Sequence, residues 1–134
     1  MQNSIKKNQI KLDPYSLKEE IANSISHGLG ALLSVIGLTV LIVLSTLYGT
    51  GTHLASYLIY GLSMILLYTF STLYHALPQK NAKKIFKILD HAAIYMMIAG
   101  SYTPFLLINL KGPWGVSMMI TIWSLAICGI IIAG

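Results

Sequence analysis

The chain has 134 residues, 55% of them hydrophobic and only 10% charged, with a mean hydropathy of +0.70. A soluble domain of this size carries about 25% charged residues, so the composition excludes one and leaves a polytopic membrane protein of one domain. The net charge of +5 comes from nine lysines and no arginine; because these lysines lie between apolar runs, they read as topology signals and contacts to anionic lipid, not as a nucleic-acid surface.

Residues 1–20 combine Lys6, Lys7, Lys11 and Lys18 with Asp13, Glu19, Glu20 and Pro14. They predict a cytosolic tail that ends in a short interfacial helix starting after Asp13-Pro14. Lysines reach to Lys18 and the apolar run that follows is long enough to span, so the N-terminus does not read as a cleavable signal peptide. The transmembrane domain is expected over 21–134, with spans at about 25–48, 55–77, 89–108 and 114–134. Gly49-Thr50-Gly51-Thr52 separates the first two spans, Pro78 stops the second, Pro104 lies within the third, and 109–113 turns the chain into the fourth.

Lysines number four in the tail, none in the first connection, four over 79–88 and one in the last connection. Under the positive-inside rule this places the N-terminus and the 79–88 loop in the cytoplasm of a cell-membrane protein. Tyr48, Tyr57, Tyr60 and Trp114 then fall near the opposite interface. Ser26, Gly30 and Ser34, four apart, form a stripe of small residues that predicts close helix approach. Met96, Met97, Met118 and Met119 read as adaptable packing, and the lone Cys128 excludes both an intrachain disulfide and a cysteine-rich zinc site.

Ser71 and His75 are one helical turn apart on one face, and Asp90, the sole acidic residue beyond position 20, follows across the basic connection. If spans two and three are antiparallel helices, the three residues meet at one end of the pair. Polar groups beside a membrane interior are costly and mark function by default. His75 reads either as a neutral imidazole hydrogen-bonded within the bundle or as a zinc ligand, with Ser71 placing a water beside it. Asp90 is expected to open the third helix and cap its free N–H groups, a role compatible with orienting a metal-bound water. Glu20, Asn23, Ser26 and His27 cluster on one side of the start of the first helix, where Glu20 also suits the helix dipole. His91 points about 100° away from Asp90, and His53 reads as an ordinary residue of an exposed turn.

Three blocks together resemble the hemolysin III family, the bacterial branch of the progestin and adiponectin receptor superfamily: E-I-A-N-S-I-S-H-G-L-G at 20–30, S-T-L-Y-H at 71–75 and D-H-A-A-I-Y-M-M-I-A-G-S-Y-T-P-F at 90–105. The resemblance implies an all-α, polytopic transmembrane bundle, with four spans present of a seven-helix family fold and a cytoplasmic N-terminus. It also implies a zinc ion near the cytoplasmic side, with His75 as a ligand and Ser71 and Asp90 beside the zinc-bound water. The family's remaining ligands come from an H-x-x-x-H block in its last helix, which this sequence lacks. The chain is therefore expected to be truncated at its C-terminus, its zinc site incomplete and its own activity absent. His27 or His91 would replace a missing ligand only in a rearranged bundle.

Three functions follow from the resemblance and stay open at this stage. One is a zinc-dependent intramembrane hydrolase of lipid amides or esters, with His75 on zinc and Asp90 and Ser71 serving the attacking water. The others are a membrane-permeabilising, cytolytic protein and a non-catalytic regulator of membrane state. The expected partners are membrane lipids, one of them a substrate, and not nucleic acid; the sequence leaves the oligomeric state open.

Overall fold

A computed structural model describes residues 15–133 as four long helices: α1 (Leu17–Tyr48), α2 (Gly51–Ala76), α3 (Lys80–Pro104) and α4 (Gly112–Ala133). A π-helical segment, Phe105–Leu110, continues α3. Each of the four is long and apolar enough to cross a membrane. The fold is a polytopic α-helical bundle in which α2 packs against both α1 and α3, and α4 leans on α3.

The helix ends follow local chemistry. Ser16 caps α1 in a reciprocal box with Glu19, whose N–H donates to Ser16 Oγ at 3.2 Å while Ser16 N–H donates to Glu19 Oε2 at 3.4 Å. Asp13 and Pro14, expected to precede a separate interfacial helix, lie outside the described residues; from Leu17 onward α1 runs unbroken into the first span. Thr50 caps α2, and the His53 ring answers it, Nδ1 accepting the Thr50 N–H at 3.2 Å. His53 is thus a helix-capping residue in the first turn of α2, not a turn residue without a task.

The largest departure from expectation is the basic stretch 79–88. It is not a loop: Leu77–Gln79 alone connects α2 to α3, and all four lysines lie on α3. Pro78 ends α2 because it has no N–H to give, whereas 80–88, made of Lys, Ile, Ala, Phe and the single Asn81, contains neither Pro nor Gly, so α3 starts at once. At the other end, Pro104 cannot donate to the preceding turn, and the chain re-registers into the π-helical segment. Lys111 then takes φ 51° and Gly112 φ 67°, and this left-handed pair turns the chain into α4.

Helix contact rests on small residues more than on apolar bulk, as expected where lipid is as apolar as leucine. At Gly30 an added Cβ would stand 2.8 Å from the Tyr68 ring, and at Gly100 the same distance from Ser63 Cβ. Ser34 is buried and returns its hydroxyl to the Gly30 carbonyl at 2.7 Å. Ser26, the third member of the expected stripe, is exposed and bonds to Asn23, so the close-packed stripe is Gly30 and Ser34 only. Ser45 and Ser56 are buried, their hydroxyls without a hydrogen-bond partner among the described residues, and serve by their size. Between α3 and α4, Trp123 Nε1 donates to Thr103 Oγ1 at 3.0 Å, and the Tyr95 ring fills the notch at Gly129.

Gly30→Leu and Gly100→Ala are expected to lower the yield of folded protein in detergent, while Leu47→Ala, at a side chain 66% exposed to the surroundings, leaves it unchanged. Size-exclusion profiles of the three variants check this; equal yields would mean that the helices do not approach at these glycines.

Candidate functional site

The charged groups gather where α1 begins, α2 ends and α3 begins. The two adjacent carboxylates of α1 have different fates. Glu19 closes the capping box, while Glu20, one step of 100° round the helix, faces the bundle and is only 7% exposed. Its Oε2 accepts from Lys83 Nζ in a short ion pair, and its Oε1 lies 3.4 Å from His75 Nδ1. Lys83 Nζ also donates to the Tyr74 carbonyl at 2.9 Å and sits 4.9 Å from the centre of the Tyr74 ring. That carbonyl belongs to the last turn of α2, where the end of the helix leaves acceptors without intrahelical donors. One ammonium thereby neutralises a buried acid and finishes a helix end.

Beside this network lies a cavity of about 580 Å³ lined by Asn23 and His27 of α1, Ser71 and His75 of α2, and Asp90 of α3, among others. His27 Nδ1 and Ser71 Oγ make a short hydrogen bond. The His27 and His75 rings stand 5.9 Å apart, edge to face, and Tyr15 packs edge-on against His75 at 5.1 Å. Asp90 faces Ser71 and the His27 and His75 rings across this cavity. Ser71, His75 and Asp90 therefore line one cavity, together with Asn23 and His27.

The route by which they meet differs from the expected one. Asp90 does not open or cap its helix. The N-cap position is Gln79, which makes no side-chain cap bond, and Asp90 lies eleven residues further in, about 16 Å along the axis. It reaches Ser71 because α3 runs back antiparallel along α2 from Lys80, so its third turn draws level with the turn of α2 that precedes His75. His91 is exposed at the rim, its Nδ1 donating to the Lys87 carbonyl at 2.6 Å. His27 enters the cavity in the bundle as it stands, without rearrangement.

Lys83 is the residue that sequence reasoning missed. All four lysines of 80–87 look alike as a topology signal, yet Lys83 is largely buried and the other three are exposed. Helical phase gives only part of the signal: drawn from Lys80, α3 puts Lys83 on the face of Asp90, seven residues on, and Lys84 about 100° away, but Lys87, four residues on, shares the side of Lys83, so that packing against α1 and α2 decides between them.

A catalytic zinc takes three protein ligands and keeps one position for water. A carboxylate on the second ring nitrogen, as Glu20 stands to His75, is the usual support of a metal-bound imidazole. Among the described residues no three His, Cys, Asp or Glu side chains are grouped as metal ligands.

Lys83→Met would strand the Glu20 carboxylate, so it is expected to destabilise the bundle by about 3–5 kcal/mol, the usual cost of breaking a buried pair. Lys84→Met, on the exposed face, is expected to change nothing measurable. Thermal melting in detergent compares the two, and equal midpoints would show that the Glu20–Lys83 pair carries no stability.

The family profile described as "Haemolysin-III related" matches residues 15–134. Hemolysin-3 of Bacillus cereus is 53% identical over 115 residues, covering 86% of this chain and 52% of that protein. A Hemolysin-3 homolog of Bacillus subtilis (strain 168) is 50% identical over 117 residues, covering 87% of this chain and 55% of that protein. The chain thus spans about half the length of the curated relatives it matches. No solved structure matches it significantly. With the profile extending over the whole helical bundle, the polar cavity included, the chain belongs to the haemolysin-III-related family.

Proposed function

We propose that this chain provides one wall of a membrane-embedded, zinc-dependent hydrolase site acting on lipid amides or esters. The observation that supports the reading is the convergence of Ser71, His75 and Asp90, with His27, on one cavity between three membrane-spanning helices. His75 would be one ligand, and the others would come from sequence beyond this chain, of which the relatives carry about as much again. Bound zinc would supply Lewis acidity toward a lipid carbonyl. Asp90 takes up a proton from a water in the cavity, and Ser71, between Asp90 and His27, fixes where that water sits. The lipid enters from the bilayer, since the cavity also carries apolar lining from Leu67 and Ile94.

The names of the Bacillus relatives favour a second reading, cytolysis. A third is a regulator of membrane state without catalysis. The deciding experiment co-expresses this chain with the C-terminal half of the Bacillus cereus relative and measures zinc by mass spectrometry after purification. About one zinc per complex is expected, lost with His75→Ala, with none on this chain alone. Zinc that is absent from the complex, or indifferent to His75, refutes the hydrolase reading. Leakage of dye-loaded liposomes by the zinc-free complex would then favour cytolysis over regulation.

The location proposed is the cell membrane, with the N-terminus in the cytoplasm; the lysine distribution supports it, since Lys80, Lys84 and Lys87 are exposed at the polar end and the α1–α2 connection carries no charge. In a Cys128→Ser background, a membrane-impermeant thiol reagent is expected to label Thr52→Cys on intact cells and to spare Asn81→Cys. The reverse pattern would invert the topology.

A further inference from the structure

We infer that Glu20 and Lys83 are positioning residues for His75, holding its proton on Nδ1 so that Nε2 is the nitrogen left to do chemistry. The inference deepens the site reading above, but the tautomer it concerns exists with or without a metal.

An ionised carboxylate only accepts hydrogen bonds. With Glu20 Oε1 3.4 Å from His75 Nδ1, the neutral imidazole gains from that contact only when Nδ1 carries the hydrogen. Both residues are buried, His75 at 8% exposure and Glu20 at 7%, so water is a poor substitute partner for either. Lys83 matters through Glu20. Its ammonium on Oε2 holds the carboxylate in place and stops it from turning away from the imidazole.

The geometry makes this more than a chain of contacts. Lys83 Nζ is held at its other side by the carbonyl of Tyr74, the residue bonded to His75. Tyr74 carbonyl, Lys83, Glu20 and the His75 ring therefore form a closed loop of polar contacts, completed by the peptide link between Tyr74 and His75. A shift of α1 or α3 against the end of α2 strains that loop and is felt at the imidazole. Tyr15 at 5.1 Å and the Tyr74 ring at 4.7 Å flank the His75 ring and oppose its rotation.

A mere staple between helices would need only the ion pair, in either polarity, and this separates the two roles. The test uses the purified chain in lipid nanodiscs with ¹⁵N-labelled histidine, in alkaline buffer where imidazole is neutral. One-bond and two-bond ¹⁵N–¹H correlations identify the tautomer, and loss of the signals in His75→Asn assigns them. The wild type is expected to show Nδ1–H at His75. Glu20→Ala is expected to shift it to the Nε2–H form. The double exchange Glu20→Lys with Lys83→Glu restores the ion pair and the melting temperature but sets an ammonium against Nδ1; it is expected to give Nε2–H. If the exchanged protein keeps Nδ1–H, or Glu20→Ala does, the inference is overturned and the pair is a staple only. Should the exchange fail to fold, Lys83→Arg and Lys83→Met decide: Nδ1–H retained in the first and lost in the second supports it, and the same tautomer in both overturns it. Zinc retention plays no part in this readout, so failure of the hydrolase reading and failure of this inference are told apart.

Discussion

A charge at the edge of a hydrocarbon layer must find a partner, and in this bundle Lys83 and Glu20 find each other. The cost of leaving either alone is several kcal/mol per ion even after the surroundings relax, which makes the pair the contact on which the polar end depends. It joins the first turn of α1 to the first turn of α3, and through the Tyr74 carbonyl and His75 it includes the last turn of α2. Three helices that elsewhere meet through small residues are registered here by one acid and one base. Register matters because the cavity lies immediately beside the pair, and its walls are single side chains from each of those helices.

Away from this end the bundle is held differently. Serines and threonines in the interfaces spend their hydroxyls on their own helices, Ser34 on Gly30, Ser63 on Ile59 and Thr103 on Ala99, each within 2.7–2.8 Å. They contribute small size and closed hydrogen bonds, not cross-links. Beyond the polar end, the cross-helix side-chain bond among the described residues is Trp123 to Thr103. Much of the remaining surface is large apolar side chain, from Leu32 and Leu33 on α1 to Ile131 and Ile132 on α4, suited to lipid or to further helices. Polar specificity is concentrated at one end and packing specificity spread along the rest.

The polar end joins two kinds of group. The Glu20–Lys83–Tyr74 contacts are satisfied among themselves and fix backbone positions. His27, Ser71 and Asp90 instead line a space large enough for a small-molecule headgroup or several waters. His75 belongs to both, contacting Glu20 on one side and the cavity on the other. Chemistry in such a site depends on how well the first set holds the second, since a wall residue displaced by about 1 Å loses reacting geometry.

Composition and period were enough to settle the membrane class, the four helices and the family blocks, because the burial of apolar runs in lipid requires helices whose backbone bonds close on themselves. Close approach at Gly30 was legible for the same reason: a missing side chain is visible in the sequence. The convergence of Ser71, His75 and Asp90 could be anticipated from the short connection between spans, although the expected mechanism, Asp90 as a helix cap, was not the real one. Where α3 begins depends on Pro78 alone stopping α2 and nothing stopping 80–88, and this decided that Asp90 lies three turns deep. Which of four similar lysines turns inward, which of two adjacent glutamates is buried, and that His27 reaches Ser71 were decided only by tertiary structure. Helical phase relative to neighbouring helices is a property of the packed bundle, and nine residues of helix in place of loop, 80–88, set the direction of every side chain that follows.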